Sequence, residues 1–256
     1  MVQHIWAAPI YICMLLLLVP FAAPLARAPR KRTKIPTTKS AEAPLALRRA
    51  TTTLDGNCSI WVLEVADQEW WRASTAAENP YGAKLWPGAL AAAARLRAVA
   101  AGRDVLELGC GNGFAALVAA ASGARRVLAT DVSPRALDLT RRAAAEQRLA
   151  VDVAAFDARG PEPLPAGFDL LVAADVLYDA PLALAVADRV VEARARGMDV
   201  VVGGSPDREG REAFVAALSA KLPDAAFEPA YDVGHEDLKW KRKRVEVLHL
   251  LEGGGA

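Results

Sequence analysis

Cysteine and histidine are scarce in this chain of 256 residues, and neither is spaced as a metal site requires. The three cysteines, Cys13, Cys58 and Cys110, form no CxxC pair, and the three histidines are scattered along the chain. A zinc site needs several such ligands at short spacing. The sequence therefore predicts no metal site, and isolated thiols in a reducing compartment.

A strong excess of either charge is also lacking, because the formal net charge is +1. This balance hides an asymmetry: residues 1–53 hold eight lysines or arginines and a single acid, Glu42. Of the chain's 31 basic and 30 acidic residues, 23 and 29 remain beyond residue 53, so the body of the chain carries a net charge of −6. Such an acidic body argues against nucleic acid as the main partner.

The apolar run Ile10–Val19 is broken by Pro20 and falls short of the ~20 residues that a membrane span needs. It has the length of a signal-peptide core, and the segment that follows it is rich in Arg, Lys, Thr and Pro, as transit peptides are. This combination resembles the bipartite presequences of plastids acquired by secondary endosymbiosis. We therefore expect residues 1–53 to be a targeting leader that contacts a membrane or translocon, with a plastid favoured over a mitochondrion. The alternative is a membrane anchor over residues 7–26.

Residues 54–256 alternate short apolar runs with amphipathic stretches rich in Ala and Leu, which predicts a single α/β domain. We expect a Rossmann-like sheet of seven strands, mostly parallel, with helices on both faces and an antiparallel C-terminal pair. The predicted strands are Ile60–Val65, Val105–Leu108, Arg126–Thr130, Val151–Phe156, Phe168–Ala174, Met198–Gly203, Ala226–Val233 and Val245–Leu251, the first of them a lead-in strand. The predicted helices include Phe114–Ala121, Leu182–Arg196 and Arg208–Leu222. The basic run Lys239–Arg244 is expected to form a solvated turn, with binding of nucleic acid or of an acidic protein as the alternatives.

The stretch VLELGCGNG places three glycines, Gly109, Gly111 and Gly113, between a predicted strand and a predicted helix. Such a turn puts backbone N–H groups and a helix N-terminus at the edge where α/β proteins bind ligands. A dinucleotide fingerprint needs a glycine where this chain has Phe114, and the carboxylate of Glu107 would repel a diphosphate. S-adenosylmethionine, which carries a sulfonium and an ammonium, suits this turn better. Asp131 and Asp157, each after a later strand, would then meet the ribose hydroxyls and the adenine amino group.

VLELGCGNG with the following LATDVS is similar to the nucleotide-binding motifs of class I, seven-strand S-adenosylmethionine-dependent methyltransferases. Asp175-Val176-Leu177-Tyr178 resembles the D-x-x-Y motif of family-16 methyltransferases, which are largely protein lysine methyltransferases. NPYGAKLWPGA resembles a stretch of the electron-transfer-flavoprotein β-subunit lysine methyltransferases. The likeness covers roughly Ile60 to Glu212, and it implies methyl transfer to a lysine of a protein substrate, with no nucleic acid partner.

The resemblance also implies a site. Asp175 would orient the incoming amine and help to relay its proton, and Tyr178 would wall the lysine channel or donate a hydrogen bond. The residues expected to hold the cofactor are Trp86, Glu107, Gly109, Cys110, Gly111, Asn112, Gly113, Asp131, Asp157 and Ala174. The chain departs from the family at Gly204–Arg208, where relatives often have Asp before Pro. Methylation of a small amine, a catalytically silent cofactor-binding interaction protein and a nicotinamide oxidoreductase remain the competing hypotheses.

Overall fold

The computed structural model describes residues 45–55, 58–67, 70, 80–236, 238 and 240–251. The predicted leader lies almost wholly outside these ranges, as does the proposed membrane anchor over residues 7–26, so both stay predictions. Within the described ranges, no helix combines the length and the apolar character needed to cross a bilayer.

Nine strands and five longer helices make up the described chain. The strands are β1 Leu47–Asp55, β2 Cys58–Val65, β3 Asp104–Leu108, β4 Arg126–Asp131, β5 Asp152–Ala155, β6 Leu170–Ala174, β7 Asp199–Gly204, β8 Tyr231–His235 and β9 Trp240–Leu250. The helices are α1 Pro87–Val99, α2 Phe114–Ala121, α3 Pro134–Gln147, α4 Ala180–Ala195 and α5 Arg211–Ser219, and a 3-10 turn covers Pro80–Ala83.

The main sheet has seven strands in the order β5-β4-β3-β6-β7-β9-β8. Strands β3 to β7 pair in parallel, whereas β9 runs antiparallel to β7 and β8 antiparallel to β9. The carboxyl ends of five parallel strands therefore share one edge, where α/β proteins bind their ligands. The predicted Rossmann-like sheet with an antiparallel C-terminal pair is confirmed.

Each central strand is buried on both faces, because successive side chains point to opposite sides of a sheet. In β6, Leu171 and Ala173 join the apolar layer that contains α4 and α5, whereas Leu170 and Val172 join the layer that contains α1 and α2. Helices thus cover both faces, as predicted.

The predicted start of α3 is confirmed, whereas α5 begins later than predicted. The Ser133 hydroxyl accepts a hydrogen bond from the Ala136 N–H, and Pro134 occupies the first turn of α3, as the sequence indicates. Helix α5 begins at Arg211 rather than at the predicted Arg208. Arg208 lies in the loop before it, because its guanidinium bonds a carboxylate at the carboxyl edge of the sheet.

Strand β1 corrects the predicted domain boundary at residue 54. Residues 47–55 pair antiparallel with β2, and contacts group residues 44–256 into one compact unit. Arg48 forms an ion pair with the buried Glu64, and Arg49 pairs with Glu146. The basic residues that made this segment look like part of a leader therefore form ion pairs within the domain.

The basic run near the C-terminus corrects a second prediction. Its described part, residues 240–244, belongs to strand β9 and pairs with β8. It is therefore not the turn that the charges indicated. The sequence does not predict a strand here, because these residues lack the alternation of apolar and polar side chains that indicates one.

Candidate active site

A cavity of about 300 Å³ opens at the carboxyl edge of the sheet, between the glycine turn, the loop before α1 and the loop after β6. The turn follows β3 and leads into α2. At Gly109, φ is +64° and an added Cβ would lie 2.7 Å from the Val176 side chain, so only glycine fits there. Gly113 also has positive φ and lies against Thr140.

Two buried carboxylates lie behind the glycine turn. Glu107 Oε2 accepts the Ala116 N–H at 2.9 Å, and burial raises the pKa of Glu107 from its ordinary 4.5 to about 8. Asp131 Oδ2 accepts the Gly111 N–H at 2.9 Å and Oδ1 accepts the Ser133 N–H at 2.8 Å. Burial raises the pKa of Asp131 too, while those N–H groups oppose the shift. Both carboxyls favour a cationic ligand or a hydrogen-bond donor beside them.

Asn112 is the one residue of the turn whose side chain is left without a partner among the described residues. It is 3% exposed, it lines the cavity, and its Nδ2 makes no hydrogen bond. A buried amide donor is costly to leave unpaired, so a ligand oxygen in the cavity would remove that cost. The carboxylate of an amino-acid moiety is such an acceptor.

Asp175 follows β6 directly and has a backbone φ of +55°, a conformation rare for a residue other than glycine. Its Oδ2 accepts the Gly88 N–H, and its Oδ1 accepts bonds from Arg208 Nε at 2.9 Å and Nη2 at 2.7 Å. Burial raises the pKa of the Asp175 carboxyl, and the Arg208 guanidinium opposes that shift. The carboxylate therefore lies at the cavity with a resident cation.

Three aromatic rings, those of Tyr81, Trp86 and Tyr178, line the cavity together with this carboxylate. Tyr81 lies 5.7 Å from Tyr178 and 6.1 Å from Trp86 between ring centroids, and it is 52% exposed. The Trp86 indole donates to the Tyr81 carbonyl at 2.8 Å, and the guanidinium of Arg208 lies 5.1 Å from the Trp86 ring centroid. Such rings can line the path of a long side chain with an apolar stem, such as that of lysine.

The loop after β5 also lines the cavity. Asp157 lies there with an exposed carboxylate that Arg159 holds through its backbone N–H at 3.0 Å and its Nε at 3.2 Å. Burial acts to raise the pKa of Asp157, but the bonds from Arg159 outweigh it and the pKa is lowered. Phe156 and the exposed Val132 add apolar surface to this part of the wall. Such a mixture fits the flat face and the amino group of a purine.

The structure brings together nearly all of the residues predicted for the site. The residues that line the cavity are Trp86, Glu107, Gly109, Cys110, Gly111, Asn112, Asp131, Asp157, Ala174, Asp175 and Tyr178. Gly113 does not line it, because it faces Thr140 and shapes the start of α2 instead. Burial raises the pKa of Cys110 well above its ordinary value, so this residue is a neutral thiol.

The sequence prediction missed Arg208. In the sequence, its loop stands out only as a departure from the family pattern. The position of Arg208 could have indicated its role, because it follows a central parallel strand. Loops after such strands all reach the carboxyl edge of the sheet, where the ligand binds. Lys84, whose ammonium lies 5.8 Å from the Trp86 ring centroid, was missed as well.

Comparison with known proteins places this geometry in a family. A family model described as "Methyltransferase domain" matches residues 105–197. The electron transfer flavoprotein beta subunit lysine methyltransferase of Danio rerio is 31% identical over 219 residues, which cover 78% of this chain and 76% of the relative. This chain belongs to the class I S-adenosylmethionine-dependent methyltransferases. The enzyme of the same description from Xenopus laevis is 35% identical over 130 residues, 49% of this chain and 52% of the relative. The ribosomal protein L11 methyltransferase of Pseudomonas aeruginosa is 42% identical over 65 residues, 25% of this chain and 21% of the relative.

The residues of this methyltransferase fit its cofactor. The buried carboxyl of Glu107 suits a cationic ligand, the unpaired Nδ2 of Asn112 suits a carboxylate, and Asp131 can accept further bonds from hydroxyls. No group of three or more potential metal ligands occurs among the residues that the structure describes.

Proposed function

We propose that this methyltransferase acts on the side-chain amine of a lysine in a protein substrate. The observation that carries the proposal is the position of Asp175, which binds the guanidinium of Arg208 in a cavity that three aromatic rings also line. The Danio rerio and Xenopus laevis relatives, whose printed names describe lysine methyltransferases, support this substrate class.

Asp175 retains capacity for an amine. An ionised carboxylate offers about four acceptor positions, and three are used by the Gly88 N–H and the two N–H groups of Arg208. Asp175 lines the cavity, so the remaining position, on Oδ2, is available for one N–H of the substrate. Asp175 would thereby fix the direction in which the nitrogen lone pair points, and orientation of this kind supplies much of the rate of such a displacement.

A lysine must lose its proton before its nitrogen can react, against an ordinary pKa of about 10.4. The cavity favours the neutral amine, because burial and the nearby cations Arg208 and Lys84 all disfavour a second ammonium. Asp175 can accept the departing proton and pass it to solvent. When bound, S-adenosylmethionine supplies the methyl group on its sulfonium, and the amine nitrogen forms its new bond to carbon as the bond from sulfur to that carbon breaks.

Transfer of a labelled methyl group from S-adenosylmethionine tests the proposal, with the full-length protein added to a protein extract. We expect a labelled band in which mass spectrometry finds methylated lysine. Asp175→Asn should lower the rate about 100-fold while leaving binding of S-adenosylhomocysteine intact. Asp188→Asn, which removes an exposed carboxylate paired with Lys221, is the matched control and should retain the rate. A label found only in small molecules would contradict a protein substrate, and an unchanged rate in Asp175→Asn would remove Asp175 from the mechanism.

A further inference from the structure

Strand β9 extends beyond the sheet at the edge that carries the active site. It pairs with β7 from Leu250, opposite Val200, to Glu246, opposite Gly204. Gly204 is the carboxyl end of β7, so residues 240–245 continue past that edge and pair only with β8. We call residues 240–245 the basic ribbon. At about 3.3 Å per residue, Lys243 and Lys241 lie roughly 10 and 17 Å beyond Glu246.

The ribbon carries a cluster of exposed cations. Lys241, Arg242, Lys243 and Arg244 are consecutive and all are exposed. Arg242 pairs with Asp232, whereas the other three form no ion pair among the residues that the structure describes. The pairing register shifts by one residue between Lys243, opposite Val233, and residue 240, opposite His235, so the ribbon bulges within this cluster. These cations stand out on a body with a net charge of −6.

The base of the ribbon is fixed beside the catalytic carboxylate. The Gly203 carbonyl accepts the Asp175 N–H at 2.8 Å, and Glu246, opposite Gly204, bonds Arg211 Nη2 at 2.8 Å. Arg211 is the first residue of α5, three positions after Arg208. A protein that presents a side chain to Asp175 therefore approaches within reach of the ribbon.

We propose that the basic ribbon docks an acidic surface of the protein substrate, close to the lysine that is methylated. This inference rests on the proposed function and adds the charge of the partner. Exposed charges at the edge of an interface accelerate association and select the correct orientation. A protein is favoured over a nucleic acid because the proposed substrate is itself a protein, and its lysine enters beside Asp175, next to the base of the ribbon.

Binding of an acidic peptide tests the ribbon separately from methyl transfer. The probe is a fluorescein-labelled decaglutamate peptide, followed by fluorescence anisotropy with full-length protein at about 50 mM salt, where screening is weak. Lys241→Gln with Lys243→Gln should weaken binding about fivefold, as expected for the loss of two exposed ion pairs. Arg141→Gln with Arg142→Gln is the matched control, because it removes two exposed cations from α3. The control should change binding less than about twofold.

Equal weakening in both variants, or no binding of the peptide by the wild type, would overturn the proposal. The proposal would also be overturned if a single-stranded oligonucleotide of the same charge bound the wild type more tightly than the peptide does, and if this binding were weakened by the ribbon substitutions. In the labelling assay, a ribbon variant that methylates the same protein with an unchanged KM would refute docking and leave the proposed function standing. Ribbon-dependent peptide binding without any labelled protein would refute the proposed function instead.

Discussion

Glu107→Gln should stabilise the protein without bound cofactor while weakening its affinity for S-adenosylmethionine. The Glu107 carboxyl titrates near 4.5 in an unfolded chain but near 8 in the folded one, because burial disfavours its charge. Folding between these pH values takes up a proton, so its contribution to stability is complete below pH 4.5 and is lost as the pH rises through about 8. At about 1.4 kcal/mol per pH unit, the loss at pH 7 is about 3 kcal/mol. Glutamine avoids it, because its amide oxygen can accept the Ala116 N–H without ionising.

Urea unfolding at a series of pH values between 5 and 8 measures this effect, and calorimetric titration measures cofactor affinity. The stability advantage of Glu107→Gln should grow with pH across this range. For the wild type, affinity for the cationic cofactor should also rise with pH, since binding requires the ionised carboxylate. Glu146→Gln removes an exposed glutamate paired with Arg49 and should leave both profiles as in the wild type. If wild type and Glu107→Gln differ in stability by the same amount at pH 5 and pH 8, the buried carboxyl is not the cause.

Two further predictions concern Asp175. An added Cβ in Gly88→Ala would lie 2.5 Å from Asp175 Oδ2, so turnover should fall about 100-fold while binding of S-adenosylhomocysteine is retained. Gly204→Ala is the control and should stay active, because the added Cβ would meet open space. Similar rates in the two variants would refute this prediction. Arg208→Gln removes the cation that opposes the raised pKa of Asp175, so the acid limb of the pH profile of kcat/KM should move to higher pH. Arg208→Lys keeps a cation there and should return the acid limb most of the way to its position in the wild type. An unmoved profile would show that Arg208 does not act through the charge of Asp175.

The parallel sheet could be predicted because apolar runs of four to seven residues alternate with helical patterns, and each central strand is buried on both faces. Strand β1 could not be predicted on this basis. Its sequence LRRATTTLD is polar and basic, and its place depends on β2 and on Glu146, almost a hundred residues further along the chain. Residues 240–244 of the basic ribbon were missed for a similar reason, since no apolar residues alternate along them although they belong to a strand that pairs with β8.

The site was more predictable than its electrostatics. Residues at the carboxyl ends of neighbouring parallel strands must meet, so Glu107, Asp131 and Asp175 could be grouped from strand positions alone. Which of them would have a cation beside it could not be deduced. The pairing of Arg208 with Asp175 depends on the path of one loop and on the stacking of the guanidinium near Trp86.

That difference in partners explains how buried carboxyls in one cavity serve two tasks. No cation contacts Glu107 among the described residues, so it holds a proton until about pH 8 and is best satisfied when a cationic ligand arrives. Asp175 has its own cation, and Arg208 opposes the rise in pKa that burial imposes. A carboxylate with a cation beside it can receive an N–H of the amine, while the same guanidinium disfavours the protonated form of that amine. The cavity therefore separates a position that recognises a cationic donor from one that keeps a neutral nucleophile in place.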